Sequence, residues 1–262
     1  MGTENTEGTP LRIGNDGPIR TVTLSSPKRK NALSAAMIGA LVTALDEAAE
    51  DSAVRVLVLT GEGDTFCAGA DLSKAIAPTS ADAPPSGDFV DLLGRLAAYE
   101  KPTIAKVRGV AYGGGLGLVA SCHFALGGTS ASLGVPEIRR GFFPMMIMAP
   151  LLRVMPRRAL LDMVLLGEPI PAERAVTHGL LTAVHPDEEL DAAVSDLGMR
   201  LAAQSPTALA HGLRAIHRHG PKPLEEALPA LRQALYELLD TDDAREGLRA
   251  FLEKRDPVWG RH

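Results

Sequence analysis

The residues best placed to do chemistry lie in two glycine-bearing loops. The first is Thr65-Phe66-Cys67-Ala68-Gly69-Ala70-Asp71-Leu72. The second runs from Val107 to Gly117 and contains Gly113-Gly114-Gly115. Each follows an apolar, β-branched stretch, Val54 to Thr60 and Thr103 to Val107, that reads as a buried strand. Glycine lets a backbone approach a ligand closely and present its N–H groups. Where such a loop opens a helix, the first N–H groups have no helical partner and the dipole favours negative charge. Two such donors converging on one oxygen make an oxyanion hole, each worth about 3–4 kcal/mol of barrier. Either loop taken singly reads as a tight packing turn. Neither is a nucleotide phosphate loop: the lysine–serine pair of that motif is missing, and no G-x-G-x-x-G opens the first βα unit.

The titratable and sulfur side chains near these loops read mostly as structural. Asp71 caps or braces the first loop. His123, alone in an apolar stretch, has the pattern of a hydrogen-bonded core residue. Cys67 and Cys122 adjoin the loops with no paired base, so small buried packing is favoured. Met145, Met146 and Met148 suit a deformable pocket wall or plain core.

The elements that must position these loops follow from periodicity. Ile19 to Leu24 alternates as a strand. Ser34 caps a helix carrying the stripe Met37, Ile38, Leu41, Val42 and Leu45. Residues 76–87 are rich in Ala, Pro, Ser and Asp and are expected to form a mobile loop. Asp88 to Tyr99 reads as a helix ended by Lys101-Pro102. The triple glycine opens a helix to about Cys122, and the remainder reads as mostly helical. Ala172 to His178 is helical with Gly179 as its cap, and Leu180 to Val184 is a short strand. Beyond about residue 187 the chain is almost all helix. Strands alternating with helices, then a helical tail, indicate an α/β core with an α-helical C-terminal piece.

Composition sets the outer limits. The chain has 262 residues, 45% hydrophobic and only 4% aromatic, so its core is built from Ala, Leu, Val and Ile. A net charge of −5, from 27 basic and 32 acidic residues, argues against nucleic acid as a partner. Short basic clusters such as Lys28-Arg29-Lys30 read as solvated surface or as phosphate contacts. Two cysteines imply no disulfide framework and suit a cytoplasmic, reducing setting. Residues 1–10 are polar and expected to be disordered. They lack a secretory h-region and match the N-myristoylation pattern only loosely. No apolar run approaches the ~18 residues of a membrane span.

Taken jointly, the two loops, about 45 residues apart, resemble the crotonase family of enoyl-CoA hydratases and isomerases. Four segments carry the resemblance: Pro27-Lys28-Arg29-Lys30-Asn31-Ala32-Leu33, Phe66 to Leu72, Val107 to Gly115, and Pro136-Glu137-Ile138 followed by Gly141 and Pro144. The similarity runs from about residue 11 to 258. It implies an α/β fold, a spiral of ββα units over residues 11–200, and a helical trimerisation region over residues 201–262. It further implies a homotrimer or a hexamer built as a dimer of trimers, an acyl-CoA thioester substrate, and no metal or other cofactor. By position, the oxyanion donors are the N–H groups of Ala68 and Gly114. The substrate contacts are Lys28, Ala70, Asp71, Leu72 and Gly113, with Lys254 and Arg255 near the nucleotide. Glu137 is the retained acid/base.

The pattern breaks at one place. Hydratases of this family carry a second glutamate two residues after the triple glycine, and here that residue is Gly117. Another acidic position is His123, a candidate to stand in for the missing carboxylate. Adding water to a double bond needs a proton removed from water and one delivered to carbon. Moving a double bond needs one carboxylate, which takes a proton at one carbon and returns it at another. A single-glutamate isomerase and a non-catalytic acyl-CoA-binding protein are therefore the alternatives to a hydratase.

Overall fold

The computed structural model describes residues 10–70 and 88–260. The expectations for residues 1–9 and 76–87, and for Asp71 and Leu72, lie outside the described residues. Six strands form the main sheet: β1 (Leu11–Asp16), β2 (Ile19–Leu24), β3 (Val56–Gly61), β5 (Thr103–Val107), β7 (Phe124–Gly128) and β10 (Ala183–His185), in the order β1-β2-β3-β5-β7-β10. A smaller sheet joins β4 (Thr65–Cys67), β6 (Val110–Tyr112), β8 (Ser132–Gly134) and β9 (Ile170–Pro171) in that order. The chain thus places one strand of each repeated unit in each sheet. A helix then returns it: α2 (Phe89–Ala97) after β4 and α3 (Gly114–Ser121) after β6. The β2–β3, β3–β5 and β5–β7 pairs are parallel, and only β1 lies antiparallel within the main sheet.

The continuous apolar runs of β3 and β5 reflect burial on both faces. Leu57, Leu59, Ala105 and Val107 face a core shared with α1 (Ala35–Glu50), α2 and α3. Val56, Val58 and Ile104 face the other way, against Leu190 and Val194 of α7 (Leu190–Ala202). Ser34 caps α1 as expected, its Oγ accepting from Met37 N–H at 3.2 Å. Asp88 does the same for α2, accepting from Val90 N–H at 2.8 Å. After β8 come a 3-10 turn (Pro136–Arg140), α4 (Met148–Val154), α5 (Arg157–Leu166) and α6 (Ala172–Thr177). Helices α8 (Pro206–His219), α9 (Leu224–Leu239) and α10 (Asp242–Glu253) end the chain and pack on one another. No helix among the described residues is long and apolar enough to cross a membrane.

Two expectations are corrected. The strand read over Leu180 to Val184 begins at Ala183, because the N–H groups of Leu180 and Leu181 both return to Ala175 O at the end of α6. The stretch after the glycine helix, read as mostly helical, also contains β7, β8 and β9.

Candidate active site

The site forms where β4 and β6 run out of their sheet, and the segment Ser26 to Leu33 builds one side of it. Asn31 is fully buried and holds a left-handed φ of +54°. Its Nδ2 donates to Thr65 O at 2.7 Å and to Glu62 O at 3.0 Å, and its Oδ1 accepts from Ser26 N–H at 2.9 Å. One amide thus ties the motif segment to the start of the first glycine loop. Two backbone bonds extend the seam: Ala68 N–H donates to Lys30 O at 3.0 Å, and Leu33 N–H donates to Gly69 O at 2.8 Å. Asn31 stands in the motif that carries the resemblance, but sequence reasoning assigned it no role.

The triple glycine meets this loop from the other side. Gly113 has φ +51° and precedes α3, and its N–H is bonded to Gly134 O at 2.9 Å. A Cβ at Gly115 would lie 2.5 Å from Cys67 O, so only glycine lets α3 start this close to the first loop. A Cβ at Gly69 would lie 3.4 Å from Gly114 N, and one at Gly114 would lie 3.7 Å from Ala70 N. These approaches bring the N–H groups of Ala70 and Gly114 into one small space. Gly114 is the first residue of α3, so its N–H has no partner within the helix. Ala70 N–H has no partner among the described residues. The expectation for Ala68 is therefore corrected: its N–H is spent on Lys30 O, and the donor beside Gly114 belongs to Ala70.

Glu137 approaches the same place from the 3-10 turn. A Cβ at Gly113 would stand 2.5 Å from Glu137 Oε1 and 3.3 Å from its Cδ, so the carboxyl lies flat against a glycine that cannot be larger. Glu137 Oε2 is buried and has no hydrogen-bond partner among the described residues. Burial raises the pKa of this carboxyl above the ordinary glutamate value. Its own backbone N–H and the Arg140 guanidinium pull weakly the other way. An unpaired, desolvated carboxyl costs stability, so its retention points to use rather than to packing.

Gly117 lies one turn along α3. A Cβ there would come within 2.6 Å of Ile147 Cγ2 and 3.2 Å of Ile147 Cβ, with Leu93 Cδ2 at 3.6 Å. The place of a second carboxylate is filled by hydrocarbon. His123 does not compensate. Its Nδ1 accepts from Thr103 N–H at 3.1 Å, its own N–H donates to Thr103 Oγ1 at 2.9 Å, and burial lowers its pKa to about 4. It pins the far end of β5 to β7. Cys67 and Cys122 are pushed up to about 12 by burial, which makes inert thiols of both. Lys28 is exposed on the 3-10 turn Pro27–Arg29 and free to reach a phosphate. Arg255 is engaged by Glu246, at 2.6 Å, and by Glu253, at 2.7 Å. A cleft of about 760 Å³ opens elsewhere, between the ends of α1 and α2 and helix α8, and none of the loop residues or Glu137 lines it. Converging donors, not volume, mark the site.

Comparison with known proteins identifies the family and the fold. Residues 14–262 match the family described as Enoyl-CoA hydratase/isomerase. The chain belongs to this family, also called the crotonase family. It is 36% identical over 252 residues to the 2,3-dehydroadipyl-CoA hydratase of Escherichia coli K12, covering 94% of this chain and 97% of that protein. It is 33% identical over 243 residues to the human mitochondrial enoyl-CoA hydratase domain-containing protein 3, covering 92% of this chain and 80% of that protein. The crystal structure of human enoyl Coenzyme A hydratase domain-containing protein 3 superposes with a TM-score of 0.91 at 31% identity, covering 95% of this chain and all of that one. The α/β architecture of two sheets with returning helices is therefore the crotonase fold.

Proposed function

We propose that this enzyme binds an acyl-CoA thioester, with Ala70 N–H and Gly114 N–H holding the thioester oxygen and Glu137 moving the proton. The observation that carries the reading is the Glu137 carboxyl, packed against Gly113 with an unpartnered, buried Oε2 beside the two converging loops. Proton loss from the carbon next to the thioester carbonyl gives an enolate whose negative oxygen needs two donors. Burial raises the basicity of Glu137, which brings it nearer to that weak carbon acid. Lys28 and the Gly113–Gly114 turn would contact the CoA portion, with CoA part of the substrate and no separate cofactor.

With one carboxylate, the reaction best served is migration of a double bond: a 3-enoyl thioester loses its α-proton to Glu137, forms a dienolate, and regains the proton at the γ-carbon as the 2-enoyl isomer. Hydration is the second reading, favoured by the hydratase names of both relatives. The test is turnover of a 3-enoyl-CoA and of crotonyl-CoA by wild type and Glu137→Gln. The expected result is isomerisation that falls about 10³-fold in the variant, within the range of general acid–base catalysis. Equal rates refute the role of Glu137, and thioester binding without any turnover would mean a binding protein instead.

The same reading extends to assembly as a homotrimer or a dimer of trimers. Leu224, Leu228, Leu235 and Leu239 form an exposed apolar stripe on α9, joined by Ile216 of α8 and Phe251 of α10. Exposed apolar side chains on these three helices suit burial against further copies. Light scattering reads the mass directly, and a monomer at micromolar concentration refutes it. Two free cysteines are consistent with a reducing compartment.

A further inference from the structure

Gly117 looks at first like a simple deletion of a functional side chain, but its surroundings are specific. It lies three residues beyond Gly114 on the same helix, so the two share one side of α3. Along that side the neighbours run in order. Phe89 of α2 and Leu33 face Gly114, at 3.3 and 3.0 Å from where a Cβ would be. Leu93, one turn further along α2, and Ile147 face Gly117. Glu137 touches the preceding turn at Gly113. One helical turn, about 5.4 Å, separates Gly113, where the carboxyl lies, from Gly117, whose wall is made of hydrocarbon.

Ile147 is the member of that wall that cannot yield. It is only 4% exposed, and its carbonyl accepts from Leu151 N–H at 3.2 Å as α4 begins. Its β-branched side chain is stiff at χ1, and both its Cγ2 and its Cβ lie under 3.4 Å from the position a Cβ at 117 would take. Even a methyl group at 117 needs Ile147 to move, and a longer carboxylate side chain starts from the same clash.

We infer that Ile147 determines the reaction specificity of this site: its side chain fills the space from which a second carboxylate, or a water held by one, would reach the acyl chain. This rests on Glu137 being the proton carrier. With Ile147 in place, the proton taken by Glu137 is returned to carbon and water is not added, so the substrate class is an unsaturated thioester whose double bond moves. Trimming Ile147 should open that space, and a carboxylate at 117 should then hold a water beside the double bond.

The experiment compares Ile147→Ala, Gly117→Glu/Ile147→Ala and Gly117→Gln/Ile147→Ala, each checked for fold by circular dichroism and for thioester binding by calorimetry. Hydration of crotonyl-CoA and isomerisation of a 3-enoyl-CoA are measured together. The expected result is hydration at least tenfold faster in the Glu variant than in the Gln variant and in Ile147→Ala. Because an alanine Cβ at 147 would still lie 3.2 Å from the new side chain, Gly117→Asp/Ile147→Gly is the second carboxylate variant. A folded, thioester-binding carboxylate variant with no gain overturns the inference. Failure of both carboxylate variants to fold also overturns it, since Ile147 is then not what closes the space. If wild type isomerises in a Glu137-dependent way while the variants gain nothing, only the role of Ile147 falls. Absence of Glu137-dependent turnover in the wild type removes both.

Discussion

The substitution that tests the site most directly is Gly113→Ala, because it displaces the proposed acid/base, Glu137, without replacing it. The added Cβ would lie 2.5 Å from Glu137 Oε1, where ordinary contact begins near 3.4 Å. The carboxyl must retreat by about 0.9 Å, since Gly113 is anchored by its bond to Gly134 O. A misplacement of about 1 Å costs on the order of 10²-fold in rate for a positioned group. The backbone adds its own cost: φ +51° with ψ −120° is a conformation alanine tolerates poorly, worth about 1–3 kcal/mol. For a chain this long, that corresponds to a fall in Tm of roughly 2–12 °C. Steady-state isomerisation of a 3-enoyl-CoA, paired with a thermal melt, should show kcat down about 100-fold and KM changed by less than about threefold. A variant that melts lower yet keeps wild-type kcat would refute the reasoning. It would mean that the Glu137 carboxyl does not need its present position.

Three further outcomes are expected. Replacing Ala70 by lactic acid, which exchanges its N–H for an ester oxygen, should cost about 10²–10³ in kcat, while the same exchange at Ala68 should lower Tm more than it lowers kcat. The reverse ranking in a kinetic and thermal comparison would restore Ala68 as the donor. Asn31→Ala should destabilise by about 3 kcal/mol in denaturant unfolding, since it strands Ser26 N–H and the carbonyls of Glu62 and Thr65; a loss under about 1 kcal/mol would show that the seam holds without it. Glu137→Gln should raise Tm at pH 7 while lowering turnover about 10³-fold. The folded pKa of Glu137 lies above its unfolded value, so ionising it costs stability as pH rises from the unfolded pKa through the folded one. The gain should shrink on acidification and vanish below about 4.5, where both states carry a neutral carboxyl. A Tm difference independent of pH would contradict that assignment.

Much of the frame was legible in the residues, and the parts that were not share a cause. β3 and β5 announce themselves because strands buried on both faces are continuously apolar, and α1 and α2 because Ser34 and Asp88 cap clear stripes. β4, β6 and β8 are three residues each, and β7 ends in Gly127-Gly128. Three residues are too few to show an alternation, and the glycines weaken the pattern of β7, so pairing with neighbours fixes their conformation. The choice of Ala68 over Ala70 as the proposed donor went astray by two residues for the same kind of reason. Ala68 and Ala70 are indistinguishable in sequence, and only the seam with Lys30 and Leu33 decides which N–H is consumed. Gly117 was readable as a missing glutamate. That its space is closed by Ile147, thirty residues on, was not.

On the proposed function, that closure bears on how a single carboxylate would suffice. A base facing water pays for its charge little but is weak, and it loses its proton to solvent before returning it to carbon. Glu137 is held otherwise. Its Oε2 is desolvated, which raises its affinity for the proton, and the next turn of α3 is sealed by Ile147 and Leu93. In the proposed step the negative charge that leaves the carboxylate would reappear on the thioester oxygen, at the start of the same helix, where the N–H of Gly114 and the dipole of α3 would favour it. The step therefore moves charge from a place that disfavours it to a place built to receive it. A glutamate at 117 would reverse that gain by placing a second negative charge beside the first, unless it also held a water to justify its presence. In this chain Ile147 occupies the space where that second charge would stand.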